Sequence, residues 1–140
     1  VDTLFNSYAD TPYASMSALL AAKQQMKAGD FDNASNNLQW IIDHSTQPEL
    51  QHIARLRLMR LLFANNKIEK ALALAQVDYP QSYAAIYEEL KGDLHVSQGD
   101  LEQARVAYDK AIMNSGAQVS QWLRLKREDL GPATISEPSA

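Results

Sequence analysis

The sequence has no cysteine, only five glycines and five prolines in 140 residues, and no long apolar run. Without thiols there is no disulfide framework, no thiolate nucleophile and no cysteine-ligated metal. The absence suits any compartment and decides none. Apolar runs such as Leu61–Ala64 fall far short of the ~18 residues that suggest a membrane span, and the start shows no signal-peptide pattern. A large excess of one charge is also lacking: the formal net charge is −4, which argues against nucleic acid, a partner that favours basic patches. Val, Ile and Thr nowhere alternate with polar residues over a useful length, so strands are not expected. Nor is there a Gly-rich phosphate loop, a His-Glu-x-x-His or a Gly-x-Ser-x-Gly.

What remains is an ordinary globular composition, 46% hydrophobic and 21% charged, enough for one domain with one core. The chain opens on Val1, so it reads as a piece of a longer protein, and a missing anchor is then a property of the piece. Residues 1–12 read as a lead-in. Residues 131–140, with Gly131, Pro132 and Pro138, read as a disordered tail. Between them Ala, Leu, Gln, Glu, Lys and Arg dominate, all strong helix formers. Seven helices are predicted, at 13–28, 31–45, 48–65, 68–77, 81–98, 101–115 and 118–129. Gly29-Asp30, Asn65-Asn66 and Gly99-Asp100 separate them. Gly or Asn can end a helix in the left-handed conformation, and Asp30 and Asp100 can cap the next one. Pro48 suits a first helical turn.

Superposing the breaks exposes a repeat. Gly29 to Asn66 spans 37 residues and Asn66 to Gly99 spans 33. The third copy reads Gly92, Gly99, Leu101, Ala104, Tyr108 and Ala111; the first reads Ala22, Gly29, Phe31, Ala34, Leu38 and Ile41; the second is weaker, with Met59, Asn66, Ile68, Ala71 and Ala75. Small residues let two antiparallel helices approach. A large residue after each turn closes the hairpin, and Leu38 or Tyr108 is expected to pack against the following repeat. This resembles the tetratricopeptide repeat, a ~34-residue helical hairpin. The fold class is therefore all-α: a tetratricopeptide-like hairpin solenoid of about three repeats over 13–130. Solenoids need a cap. Val119, Trp122, Leu123 and Leu130 are read as one side of a capping helix, with Arg124, Lys126, Arg127 and Glu128 mostly elsewhere. A partner-binding amphipathic helix is the alternative.

No catalytic constellation emerges. His44, His52 and His95 have no second ligand at zinc spacing. His95 is expected to pack within its hairpin. Glu88, Glu89 and Asp93 could form an acidic site, but a solvated or partner-facing helix side is the simpler reading. No cofactor, metal or catalytic residue is assigned. In this repeat type the first helix of each hairpin lines a concave face. By register the groove candidates are Leu19, Lys23 and Met26, then Leu56, Arg60 and Phe63, then Glu89, Asp93 and Val96. Spacings of i, i+4 and i+7 put each set on one helix side. Such a groove is mixed: apolar near Met26, Leu56 and Phe63, basic at Lys23 and Arg60, acidic at Glu89 and Asp93. Alternatively, the chain's own ends fold back and fill it. A carboxylate clamp of the chaperone-tail-binding kind is missing: Lys23 stands where Asn is expected, and Ile86 and Leu90 where basic residues are expected.

A narrower likeness rests on Tyr13-Ala14, Ala22, Gly29-Asp30, Ala34, Leu38, Ala54-Arg55-Leu56-Arg57-Leu58, Lys70-Ala71-Leu72, Leu90-Lys91-Gly92-Asp93 and the run from Gly99 to Tyr108. With a late amphipathic helix ending at Leu130, this resembles the YfgM family, ancillary subunits of the bacterial SecYEG translocon. The resemblance implies a membrane anchor before Val1 and a repeat domain facing the periplasm from the inner membrane. It also implies partnership with SecYEG and with a membrane-anchored periplasmic prolyl-isomerase-like chaperone, in handing over secreted proteins. The segment 131–140 departs from the family, which tends to end soon after its last helix. Two other functions stay open: a chaperone-like binder of unfolded clients, and a regulatory scaffold that sequesters a signalling protein.

Overall fold

The computed structural model describes residues 12–132; the expected lead-in before Pro12 and the tail from 133 onward lie outside the described residues. Among the described residues seven α-helices follow in order: α1 (Pro12–Lys27), α2 (Phe31–His44), α3 (Pro48–Ala64), α4 (Ile68–Leu74), α5 (Gln81–Gln98), α6 (Leu101–Ser115) and α7 (Gln121–Asp129), with a 3₁₀ turn at Gly116–Gln118. There is no strand among the described residues. The chain divides into two compact units, Val1–Leu74 and Ala75–Ala140, where the sequence suggests one stack.

The three hairpins α1–α2, α3–α4 and α5–α6 turn by one device. Gly29 (φ 79°), Asn66 (φ 61°) and Gly99 (φ 80°) are left-handed. In each case the next amide reaches back to a carbonyl five residues earlier: Asp30 to Gln25 at 2.8 Å, Lys67 to Leu62 at 2.8 Å and Asp100 to His95 at 2.9 Å. This is the Schellman closure, which satisfies carbonyls a helix end leaves open. Asp30 and Asp100 then cap the following helices, accepting from the amides of Asn33 at 3.4 Å and Gln103 at 3.2 Å. Pro48 opens α3 as expected.

Two boundaries differ from the prediction, and each has a local cause. Helix α4 stops at Leu74, not near 77. The Leu74 carbonyl accepts from Arg55 Nη1 at 3.1 Å, so an α3 side chain satisfies a group the next turn would have used. Helix α7 starts after Ser120, whose Oγ accepts from the Leu123 amide at 3.0 Å.

In the first unit, α1 buries Ala14, Ala18 and Ala22 in a core with Ala34, Leu38 and Ile41 of α2 and Ala54, Leu58 and Leu61 of α3. Small residues at the helix crossings let the backbones come close. Helix α3 packs on α2 and α4, which accounts for its broad apolar surface. In the second unit, α5 and α6 form the hairpin and α7 packs on α6. The small residue is here Gly92, and the Tyr108 ring fills the space above it. A Cβ on Gly92 would overlap that ring. Tyr108 therefore packs within its own hairpin as well as on α7, sharing a cluster with Ala111 and Leu123.

Candidate functional site

The groove candidates fall into two environments, one per unit. In the second unit, Glu89 and Asp93 of α5 are taken by the chain itself. Lys126 of α7 lies 2.7 Å from Glu89 Oε2 and 2.8 Å from Asp93 Oδ1. The Tyr108 hydroxyl also donates to Asp93 Oδ1, at 2.6 Å. The ammonium sits 5.5 Å from the centre of the Tyr108 ring, within cation–π range. Burial works against the Lys126 charge, but hydrogen bonds to Asp93 and Glu89 outweigh it and raise its pKa. Burial, then the hydrogen bond to Asp93, pushes the Tyr108 hydroxyl above its ordinary range. Val96, on the last turn of α5, is exposed.

The rest of α7 is pinned in the same way. Arg127 grips Asp109 of α6 side-on, Nε to Oδ1 at 2.7 Å and Nη2 to Oδ2 at 3.3 Å. Its Nη1 donates to the Gly131 carbonyl at 2.7 Å. Buried Arg105 of α6 donates to the Leu130 carbonyl through Nε at 3.2 Å and Nη2 at 2.9 Å. The docking side of α7 is thus Leu123, Lys126, Arg127 and Leu130. This corrects the sequence reading, which put Trp122 on the same side as Leu123 and Leu130 and Lys126 and Arg127 mostly elsewhere: Trp122 is 65% exposed. Spacings of three, four and seven residues from Leu123 select Lys126, Arg127 and Leu130 as its helix-side neighbours, and Trp122 falls off that side. Two further expectations also change. Glu88 is buried, not solvated, and accepts from Tyr79 and from Lys91 at 3.2 Å. His95 is half-buried, with Nδ1 at 3.2 Å from Gln98 Oε1.

The first unit is different. Leu19 packs against the core, Leu56 is only 5% exposed and Phe63 is half-buried, so these three offer a partner little. Leu56 is inward because it shares α3's broad buried surface with Met59. Lys23, Met26 and Arg60, by contrast, line one open cavity of about 320 Å³. Its floor is Ala22, Leu38 and Leu61, all buried; its rim is Lys23, Arg57 and Arg60, all exposed. Met26, 37% exposed, supplies a wall. Among the described residues these three cations make no ion pair or hydrogen bond. Arg57 was not among the sequence candidates. It stands three residues before Arg60, and reading α3 at i, i+3 as well as i, i+4 would have found it.

Hairpins with small residues at their crossings and a common left-handed closure define a helical-repeat protein. The chain belongs to the tetratricopeptide repeat-like domain family, whose model matches residues 1–132. It is 28% identical over 109 residues to a Neisseria gonorrhoeae protein named ancillary SecYEG translocon subunit, covering 78% of this chain and 52% of that protein. A protein of the same name from Aggregatibacter actinomycetemcomitans is 28% identical over 120 residues (86% and 59% of the two chains). Its Escherichia coli namesake is 24% identical over 119 residues (84% and 58%). The likeness read from the residues is thus met again in curated relatives, of which this chain spans a little over half the length. No solved structure gives a significant match. Among the described residues no helix is long and apolar enough to cross a membrane.

Proposed function

We propose that this chain is a non-enzymatic protein–protein interaction module of an ancillary translocon subunit. In this reading the parent protein is anchored in the bacterial inner membrane and presents the repeats to the periplasm. There it works with SecYEG and with a membrane-anchored prolyl-isomerase-like chaperone in handing over secreted proteins. One observation carries the interaction role: the first unit keeps an open apolar cavity rimmed by three cations with no partner among the described residues. An apolar floor with a charged rim is the usual anatomy of a protein-binding surface. The names of the curated relatives support the translocon assignment.

Photo-crosslinking from position 26 of the membrane-bound parent protein in living cells tests this, with position 108 as a buried control. Discrete adducts with a translocon or chaperone subunit are expected. A smear of many secreted proteins would favour direct client binding. Adducts confined to the chain itself would overturn the interaction role of this face. Protease accessibility of the domain from the periplasm tests the topology, and cytoplasmic exposure would favour a scaffold that sequesters a signalling protein.

A further inference from the structure

We infer that the cavity of the first unit is a docking site for an acidic–apolar peptide segment, one bulky apolar side chain flanked by carboxylates. The inference rests on the proposed interaction role and names the chemistry of the partner. The floor of Ala22, Leu38 and Leu61 presents only hydrocarbon, so the group that enters must be apolar. At about 320 Å³ the cavity is at the small end of ligand sites and takes one or two large side chains. Met26, unbranched and polarizable, can adapt to more than one of them.

Charge decides what flanks that side chain. Lys23 on α1 and Arg57 and Arg60 on α3 converge on the opening, and no acidic residue is among its lining. Elsewhere Lys91 pairs with Glu88, Arg105 with Glu102, Lys126 with Glu89 and Asp93, and Arg127 with Asp109, while Arg55 donates to the Leu74 carbonyl; Lys27, Lys67, Lys70, Lys110 and Arg124 make no ion pair among the described residues, but no three of them converge on one cavity. Three unengaged cations around one opening are complementary to carboxylates, and two arginines can each hold one bidentately. A long polyanion fits less well. The whole chain carries net charge −4, so nucleic acid or an anionic membrane is repelled outside the patch, whereas a short acidic segment meets only the patch.

The test uses the 140-residue chain and a fluorescein-labelled peptide, Glu-Asp-Glu-Leu-Phe-Glu-Asp-Glu, with both ends blocked. Two control peptides replace the acids by Lys or the Leu-Phe pair by Ser-Ser. Fluorescence anisotropy is expected to show the parent peptide binding at least tenfold tighter than either control. Affinity should fall several-fold as salt rises from about 50 to about 300 mM. The double substitution Arg57→Glu, Arg60→Glu should weaken binding about tenfold or more with the circular dichroism spectrum unchanged. Should the reversal disturb folding, the milder Arg57→Ser, Arg60→Ser pair is expected to weaken binding several-fold. Equal binding of the Lys peptide, no binding of any peptide, or indifference to both variants overturns the inference. So does binding to phosphatidylglycerol vesicles that is lost in the same variants while the peptides are not distinguished, which would make the site a lipid contact. If crosslinks from position 26 to a translocon or chaperone subunit persist in the charge-reversed protein, the interaction role stands and this docking site falls alone.

Discussion

Lys23, Arg57 and Arg60 of the first unit point to solvent with no partner among the described residues, whereas Lys126 and Arg127 of the second are spent on Glu89, Asp93 and Asp109. The hairpins of both units close by the same Schellman turn, so the backbone plan does not make the difference. Helix α7 does. It is nine residues long and contributes few apolar groups, chiefly Leu123, with Leu130 just beyond it, to the cluster on Tyr108 and Ala111. Its hold is largely polar. The carboxylates on α5 are closed by a cation from α7, whereas the cations on α1 and α3 stand at an open cavity.

The largest expected effect contrasts the small positions of the two units. Gly92→Ala should destabilise the second unit by about 2–3 kcal/mol, because the new Cβ overlaps the Tyr108 ring. The sign is the informative part, since Gly→Ala inside a helix ordinarily gains about 1 kcal/mol. The first unit already has alanine at the matching Ala22. Trp40 and Trp122 report the two units separately in urea titrations of single-tryptophan variants. Unchanged or raised stability of Gly92→Ala would show that Tyr108 is not seated on Gly92.

Next in size is Lys126→Met, which keeps the stem and removes the charge. Glu89 and Asp93 lose their shared cation, and a cost of about 2 kcal/mol to the second unit is expected. Amide exchange in α7 should accelerate, with that in α1–α4 unaffected. Alkali probes the same cluster. The Tyr108 hydroxyl has an ordinary pKa of 10.0, raised in the folded chain by burial and by Asp93. The unfolded chain therefore gives up this proton first. The contribution is complete below pH 10.0 and is lost as pH climbs beyond it. Lys126, also raised, loses its contribution in the same direction, from 10.5 upward. Tyr108→Phe should be less stable at neutral pH, through the lost bond to Asp93, yet fall less steeply from pH 9 to pH 11. Parallel curves for the two proteins would remove Tyr108 from the explanation.

The turns should respond alike in both units, and less strongly. Gly29→Ala and Gly99→Ala each place a side chain at positive φ and should cost about 1 kcal/mol. Asn66→Gly should gain a few tenths, since Asn tolerates this conformation less well than Gly. A gain from Gly29→Ala would mean that the turn had changed type.

Most of the architecture was legible because it depends on local signals. Gly29, Asn66 and Gly99 mark the turns and Asp30 and Asp100 the caps, each acting within a few residues of itself, while Ala22, Ala34 and Ala104 mark the crossings by recurring at fixed offsets from those turns. Register also brought Lys23, Met26 and Arg60 to one cavity. What stayed hidden depends on partners far along the chain. Nothing near Glu89 in sequence announces Lys126, and nothing near Leu74 announces Arg55. Setting Lys126 and Arg127 apart from the apolar side of α7 followed from sorting that helix by polarity alone. Both side chains are mostly covered, at 17% and 20% exposure, and their charged ends meet the partly exposed carboxylates of Glu89 and Asp109. Hairpin register put Leu56 in the groove, but α3 packs on both α2 and α4 and that broad contact takes Leu56 inward.

The smallest expected effect is the other half of the comparison. Replacing Arg57 and Arg60 by Ser should change the stability of the first unit by no more than about 0.5 kcal/mol, because exposed cations with no partner among the described residues contribute little to folding. Lys126→Met removes a single cation of the other unit and costs several times as much. Urea titrations of the two variants, followed through Trp40 and Trp122 respectively, make that contrast directly. A loss above about 1 kcal/mol from the Arg57, Arg60 pair would mean that these side chains already have a partner in the folded chain. The first unit would then be filled from within, as the second is, and the asymmetry that assigns it an outward role would disappear.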